Sequence, residues 1–181
     1  MNDKSPARLA RIKRKTPIYS WRLNSPISLE EVIKIEAEYQ ITLPEQYRVF
    51  ITTIGNGGAG FFSLEESLKY DVPKNKDNVI DKNFFKIPFI YTSTYNPDED
   101  AEIARLEKKW NRQEITQSEF NSIDNYLTAG TIVIKNDGCG HLIRLVITGV
   151  TKGTIWMDST CNGQGYFPLN IRFLEWFEWY K

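Results

Sequence analysis

The sequence has few of the side chains that build metal centres and disulfide frameworks. Its 181 residues include one histidine, His141, and two cysteines, Cys139 and Cys161. The cysteines are 22 positions apart and lack the paired ligand spacing of a zinc site. Two cysteines also provide no disulfide framework. We therefore expect reduced cysteines and no bound metal.

Long apolar runs and a P-loop motif are also missing. No segment approaches the length of a membrane span, and no apolar stretch follows the basic N-terminal residues as it would in a secretory signal. GxxxxGKS/T does not occur. Residues 55–60, GNGGAG, fit GxGxxG, but they follow a predicted helix instead of opening one, so they lack the context of a dinucleotide site. We therefore expect a cytoplasmic protein that has no cofactor, no membrane contact and no direct nucleic-acid ligand.

A net charge of one sign is absent from the whole chain but not from its parts. The formal net charge is zero, yet residues 1–22 hold seven basic residues and one acid, Asp3. The remainder holds 16 basic and 22 acidic residues, a net charge of −6. We interpret 1–24 as a basic, flexible arm, because short basic termini are usually solvated. Residues 25–181 are then a single acidic domain, and its field attracts basic partners.

Capping and periodicity signals predict helices near both ends of the chain. Ser28 and Glu31 have the spacing of a capping box, and Pro44 suits the first turn of a second helix. Asn170 is the expected N-cap of a third. The predicted helices cover 28–39, 44–54 and 170–180.

Alternating apolar residues predict a central antiparallel sheet, and hence an α+β fold. Its predicted strands are 131–135, 141–148 and 153–158, the last two paired as a hairpin, with shorter candidates at 61–64 and 89–92. Residues 96–128 include a second capping box at Thr116 and Glu119. This segment predicts a helical hairpin inserted between strands.

A glycine-rich junction follows the second helix in the stretch LPEQYRVFITTIGNGGAGFF, residues 43–62. A phosphate cradle would need the glycines before a helix, at its positive N-terminal end, whereas here they meet a C-terminus. Gly55 suits a left-handed helix cap, and Asn56-Gly57 suits a tight turn. We interpret the junction as a turn from helix to strand.

These segments carry a family resemblance. The order LPEQYRVF, GNGG, IVIKNDGCG, LVITGVTKGTIWMD and FLEWFEWY resembles the SUKH superfamily over roughly residues 27–180. That superfamily contains bacterial immunity proteins and a yeast regulator of cell-wall synthesis. The resemblance implies a non-enzymatic α+β domain that binds partner proteins. The family's motif residues in this sequence are Leu43, Pro44, Tyr47, Phe50, Asn56, Gly57 and Gly58. We interpret them as mainly structural, with Asn56 at the rim of a binding cleft.

The resemblance implies an immunity protein that neutralises a bacterial toxin, commonly a nuclease, by binding it. The alternative is a regulatory or scaffold protein that binds signalling enzymes. A nuclease has a basic active site, so an acidic face on the inhibitor would speed association. The candidate partner-binding acids are Glu30, Glu31, Glu65, Glu66, Asp98, Glu99, Asp100 and Glu102.

Three of the five tryptophans bear on partner binding. Trp156 lies in a predicted strand and is expected in the core. Trp176 and Trp179 lie off the helical stripe of Phe173 and Phe177 or at its margin. We expect at least one of the two to be exposed as an anchor for a partner, because tryptophan dominates interface energetics.

Enzymatic function has little support in the residues. Cys139 and His141 alternate on a strand, so their side chains share a direction without being placed for proton transfer. The acids at Asp98 and Asp100 could contact a cation, but acids are also typical of a helix start. The sequence therefore predicts no catalytic residue.

Overall fold

A computed structural model describes residues 5–19, 23–75, 77–116, 119–120, 123 and 126–179. Its helices are α1 (Ser5–Tyr19), α2 (Leu29–Tyr39), α3 (Glu45–Thr53), α4 (Leu64–Ser67), α5 (Ala101–Asn111) and α6 (Phe173–Trp179). Its strands are β1 (Thr131–Gly138), β2 (His141–Val146), β3 (Thr154–Ser159) and β4 (Gly165–Arg172). The predicted α+β class is confirmed. None of the helices in these ranges is long and apolar enough to cross a membrane.

The sheet is a simple antiparallel meander in the order β1-β2-β3-β4. Strands β2 and β3 pair from Leu142 opposite Asp158 to Leu145 opposite Ile155, which confirms the predicted hairpin. The β1–β2 turn passes through Cys139 with a φ of 51°. Each connection is short, so consecutive strands lie side by side.

The predicted helix 170–180 begins three residues too early. Residues 165–172 form β4, and Asn170 lies within that strand at a φ of 57° instead of capping a helix. Asparagine adopts the left-handed region more readily than most residues, so it suits an irregular strand as well as a cap. Pro168 pairs opposite Trp156 on this edge strand, where a missing N–H costs no ladder bond. Residue 180, the last of the predicted helix, lies outside the described residues.

The two short strand predictions, 61–64 and 89–92, are also wrong. Phe61 and Phe89 form only isolated bridges, to Gly58 and Gly149 respectively. Leu64 instead begins α4, because Ser63 accepts a hydrogen bond from the Glu66 N–H and the Glu66 carboxylate accepts one from the Ser63 N–H. This is the same S-x-x-E capping box as at Ser28, which starts α2 as predicted.

Helices cover one face of the sheet and enclose the main core. Ile143 and Leu145 of β2 are at most 1% exposed on this face. Phe173 of α6 packs edge-on against Tyr47 and Phe50 of α3, with ring centroids 4.9 and 5.1 Å away. Each such side chain contributes about 1.5–3 kcal/mol on full burial. The aromatic contacts therefore fix α3 and α6 together over the sheet.

Helix α1 occupies the segment for which the sequence analysis expects a solvated arm. Its Ile12 is 3% exposed and belongs to the main core. Arg8 binds Glu175 at 3.1 Å and Glu178 at 3.0 Å, and Arg11 binds Glu178 at 2.5 Å. Ile12 and Leu9 thus pack α1 against the main core, and the ion pairs of Arg8 and Arg11 attach it to α6. The domain boundary at residue 24 stays a prediction.

The attachment of α1 predicts a pH-dependent stability. Burial opposes ionisation of Glu178, but Arg11 and Arg8 outweigh it and hold the pKa of this carboxyl below its ordinary value of 4.5. A group whose pKa folding lowers stabilises the folded state above its unfolded pKa and loses that contribution as the pH falls through the folded value. We expect Glu178→Gln to lower the free energy of unfolding by about 1–2 kcal/mol at neutral pH.

Thermal unfolding across pH measures this effect. The difference between wild type and Glu178→Gln should vanish in acid well below 4.5. Glu65→Gln is the matched control, because the Glu65 side chain is 71% exposed and its ion pair with Lys69 is long, at 4.0 Å. A Glu178→Gln difference that persists unchanged in acid would contradict the ion-pair assignment.

The inserted segment contains α5 and part of the predicted second helix. Asp100 caps α5 by accepting hydrogen bonds from the N–H groups of Glu102 and Ile103. The Thr116–Glu119 capping box is present, with Glu119 N–H donating to Thr116 Oγ1 at 3.2 Å. The Trp110 and Phe120 rings stack at 5.0 Å between the two arms. Residues 117–118, 121–122 and 124–125 of the predicted second helix lie outside the described residues.

Candidate functional site

The face of the sheet away from the main core carries a cleft of about 500 Å³. Its floor includes Arg144 of β2, Asp158 of β3 and Tyr166 of β4, and α5 supplies one wall through Ile103 and Glu107. The segment after α4 supplies another wall. The acidic lining residues are Asp71, Asp98, Glu107 and Asp158. We call this feature the acidic cleft.

Arg144 is a buried cation at the floor of the acidic cleft, only 3% exposed. Its Nε donates to Asp158 Oδ2 at 2.8 Å, and its Nη2 donates to Asp71 Oδ2. Burial disfavours the guanidinium, but Asp71 and Asp158 outweigh it and raise the pKa of Arg144. Asp158 is itself 4% exposed and also accepts from the Thr160 hydroxyl at 2.8 Å. We call Asp71, Arg144 and Asp158 the buried triad, after its buried Arg144–Asp158 pair; 47% of the Asp71 side chain is exposed.

Three tyrosines stack beside the acidic cleft. The rings of Tyr91 and Tyr95 lie 4.3 Å apart at 15°, and Tyr95 lies parallel to Tyr166 at 3°. The Tyr95 hydroxyl donates to Asp100 Oδ2 at 2.8 Å, which lowers the pKa of Asp100. Burial raises the pKa of Tyr91 to about 12, so its hydroxyl stays neutral. The stack therefore joins β4 to the start of the insertion.

The structure brings only some of the predicted acids together. Asp98 lines the acidic cleft, and Asp100 adjoins it through Tyr95. Glu31 and Glu66 are engaged in capping boxes, whose hydrogen bonds lower the pKa of each. Glu30 and Glu65 are exposed, and no hydrogen bond or ion pair connects them to the acidic cleft within the described ranges. Asp98 and Asp100 thus lie at or beside the acidic cleft, apart from the acids at 30–31 and 65–66.

The three tryptophans divide between core and surface. Trp156 is 1% exposed and packs edge-on against Phe89, as the sequence predicts for a strand residue. Trp179 is 73% exposed, which confirms that at least one of the last two is accessible. Trp176 is 3% exposed and packs against Phe61, so it presents no surface to a partner.

Asn56 stabilises the glycine-rich junction. Its Oδ1 accepts a hydrogen bond from the Leu64 N–H at 2.8 Å and so ties the junction to the start of α4. Gly57 has a φ of 83°, and a Cβ there would lie 2.5 Å from the Ser63 nitrogen. The left-handed cap expected at Gly55 is wrong, because its φ is not positive. Gly55 is required instead because Asn24 O would lie 2.8 Å from a Cβ.

A second groove, of about 610 Å³, combines apolar and basic side chains. It is lined by Ile33, which is 50% exposed, and by Lys86 and Lys152. Next to it, Ile90 is 72% and Val150 is 84% exposed. The bridge between Phe89 and Gly149 brings these two neighbours together. We call this groove, together with the neighbouring Ile90 and Val150, the apolar groove. It is a second surface suited to contact with a protein.

The cysteines and the histidine lie near one end of the sheet. His141 Nδ1 is 2.8 Å from Ser159 Oγ and 3.9 Å from Cys161 Sγ. Cys139, which the sequence analysis weighed as the partner of His141, makes no hydrogen bond to a described residue. In the described part of the chain, no group of three or more His, Cys, Asp or Glu could hold a metal ion.

The floor of the acidic cleft was not predicted from the sequence. Arg144 stands in HLIRLVIT, where both neighbours are apolar and every residue from 142 to 147 is buried. A charge inside a strand buried on both faces requires a buried counter-charge, and that signal was available. Asp158 ends the neighbouring predicted strand and was a natural candidate. Nothing local pointed to Asp71, which follows α4 and lies 73 positions from Arg144.

Comparison with curated proteins finds no match, and comparison with solved structures also finds none. The model of the SMI1/KNR4 family (SUKH-1) matches residues 26–179. The matched range spans the glycine-rich junction, the acidic cleft and the whole sheet, and it leaves out α1. The chain therefore belongs to the SMI1/KNR4 family (SUKH-1).

Proposed function

We propose that this protein is a non-enzymatic immunity protein that binds a cognate toxin domain through the acidic cleft and the acids at 98–102. The family includes immunity proteins and regulators, and its domains generally bind partner proteins. One observation carries the choice of surface. Asp98 and Glu107 face the same concave site as the buried triad, so carboxylates outnumber cations there.

The buried triad sharpens this argument. Arg144 compensates part of the charge of Asp71 and Asp158, while Asp98 and Glu107 have no ion pair with a described residue. These two carboxylates are therefore available to a basic partner. An active site that binds phosphate must be basic, so a nuclease toxin matches this surface. Trp179, which is 73% exposed, is the proposed aromatic anchor outside the cleft.

The acidic cleft predicts a salt-dependent association with the toxin. We expect a variant with Asp98→Asn, Glu102→Gln and Glu107→Gln to associate about tenfold more slowly at low ionic strength, because attraction between opposite fields raises the association rate by 10- to 10³-fold. The difference should shrink as salt rises. The measurement is the association rate with the cognate toxin domain against ionic strength.

Two control variants distinguish the surfaces. Replacing Lys13, Arg14 and Lys15 with glutamine removes exposed charge from α1 while keeping Ile12 in the core. Ile90→Ser with Val150→Ser removes apolar surface from the apolar groove. Loss of binding in either control, with the cleft variant unaffected, would show that the acidic cleft is not the binding surface. Absence of any binding to the toxin would contradict the immunity function.

The alternative is a regulatory scaffold that binds signalling enzymes, as in the regulator branch of the family. The genomic neighbourhood distinguishes the two functions. A neighbouring gene for a large secreted protein with a C-terminal toxin domain supports immunity. Binding to a signalling enzyme, with no such neighbour, supports the scaffold.

A further inference from the structure

The turn between β1 and β2 closely contacts the 3-10 turn Thr160–Asn162 at the rim of the acidic cleft. A Cβ on Gly140 would lie 2.7 Å from the Cβ of Cys161, so only glycine allows the two turns to approach this closely. Gly140 and Thr160 both line the acidic cleft. Cys161 therefore lies at its rim.

Cys161 combines exposure with a neighbouring base. Its thiol is free and exposed, and Sγ lies 3.9 Å from Nδ1 of His141. Ser159 is 2% exposed, and its Oγ lies 2.8 Å from the same nitrogen. In the tautomer that carries its proton on Nε2, Nδ1 accepts from the Ser159 hydroxyl and is the nitrogen that can take a proton from Cys161. A thiol attacks as the thiolate, and an adjacent imidazole can accept its proton.

We propose that Cys161 is a covalent modification site for low-molecular-weight disulfides, with His141 as its base. The sulfur of Cys161 attacks one sulfur of the small disulfide while its proton passes to His141 Nδ1, and the Ser159 hydroxyl changes from donor to acceptor of the hydrogen bond with that nitrogen. The S–S bond of the small disulfide breaks, a mixed disulfide forms on Cys161, and the departing thiolate takes up a proton. The small disulfide is the only oxidant that this exchange needs.

Cys139 provides a matched comparison within the same chain. It is also free and exposed, and it lies two positions from His141. It makes no hydrogen bond to any residue in the described ranges. Exposure alone therefore predicts equal reactivity for the two thiols, whereas the proposal predicts that Cys161 reacts faster.

The test exposes the full chain to oxidised glutathione and follows the adduct by intact mass and peptide mapping. Cys139→Ser leaves only Cys161, and Cys161→Ser leaves only Cys139. We expect Cys139→Ser to react about tenfold faster than Cys161→Ser, a modest share of the 10²- to 10⁴-fold that a positioned base contributes in enzymes. Adding His141→Gln should remove this advantage from Cys139→Ser and leave the rate of Cys161→Ser unchanged.

The reaction rates measured in denaturant provide the reference, because both single-cysteine variants should react at the same rate once they are unfolded. Equal rates in the folded state, or a faster Cys139, would overturn the site. A faster Cys161 that is indifferent to His141→Gln would overturn the role of the base. The comparison of the two single-cysteine variants does not depend on how the His141→Gln variant folds.

Discussion

Replacing Asp158 with alanine is expected to lower the free energy of unfolding by about 3–5 kcal/mol, because it leaves Arg144 buried with one counter-charge fewer. Asp158 is 4% exposed and accepts from the Arg144 Nε at 2.8 Å. The remaining partner, Asp71, lies at the surface with 47% of its side chain exposed. Chemical denaturation measures the difference.

Two further variants separate the buried charge from the loss of packing. Asp71→Ala should cost only about 1 kcal/mol, because solvent can replace a half-exposed carboxylate. The double variant Arg144→Met with Asp158→Leu removes both ends of the buried pair and should recover most of the loss. A double variant as unstable as Asp158→Ala would show that side-chain shape, and not an uncompensated charge, explains the effect.

Gly57→Ala is expected to destabilise the protein by about 2–4 kcal/mol. The left-handed conformation, with a φ of 83°, costs an alanine about 1–2 kcal/mol. The Cβ would also lie 2.5 Å from the backbone nitrogen of Ser63. Ser63 is the N-cap of α4 and its N–H donates to Glu66, so this nitrogen is not free to move. Strain at the junction should therefore spread to α4. The midpoint of chemical unfolding measures the loss.

Gly138→Ala is the matched control for Gly57→Ala. Gly138 has a similar φ of 89°, but a Cβ there would meet nothing within 4 Å. It should therefore cost only the conformational share, about 1–2 kcal/mol. Equal losses in the two variants would mean that the approach of Ser63 does not constrain the junction.

Local signals predicted much of the fold because local hydrogen bonds decide where helices start. The box at Ser28 and Glu31 began α2 as expected, since both of its hydrogen bonds form within four residues. The box at Ser63 and Glu66 was missed because the preceding Phe61-Phe62 favoured a strand. A helix of four residues has no apolar periodicity with which to correct that preference.

Distant pairings explain the other errors. Strand β4 contains Pro168 and follows a polar turn, so its pattern is weak, and pairing with β3 defines it. The acidic cleft depends on Arg144 meeting Asp71, which no spacing in the sequence encodes. The alternating pattern predicted that Arg144 lies in a strand. It did not predict which face of the sheet Arg144 lies on or which carboxylate pairs with it. Asp98 was identified from charge alone, and the fold determined that Glu107 would share its cleft.

The attachment of α1 to α6 bears on how the chain should be divided into independently folding units. The family match starts at residue 26, after α1 has ended, yet Ile12 is buried in the same core as Phe173 and Phe177. A fragment that begins at the family boundary would expose that core. It would also leave the Glu178 carboxylate without its partners Arg8 and Arg11. We therefore expect α1 to unfold together with the rest of the core, although it lies outside the residues that the family model matches.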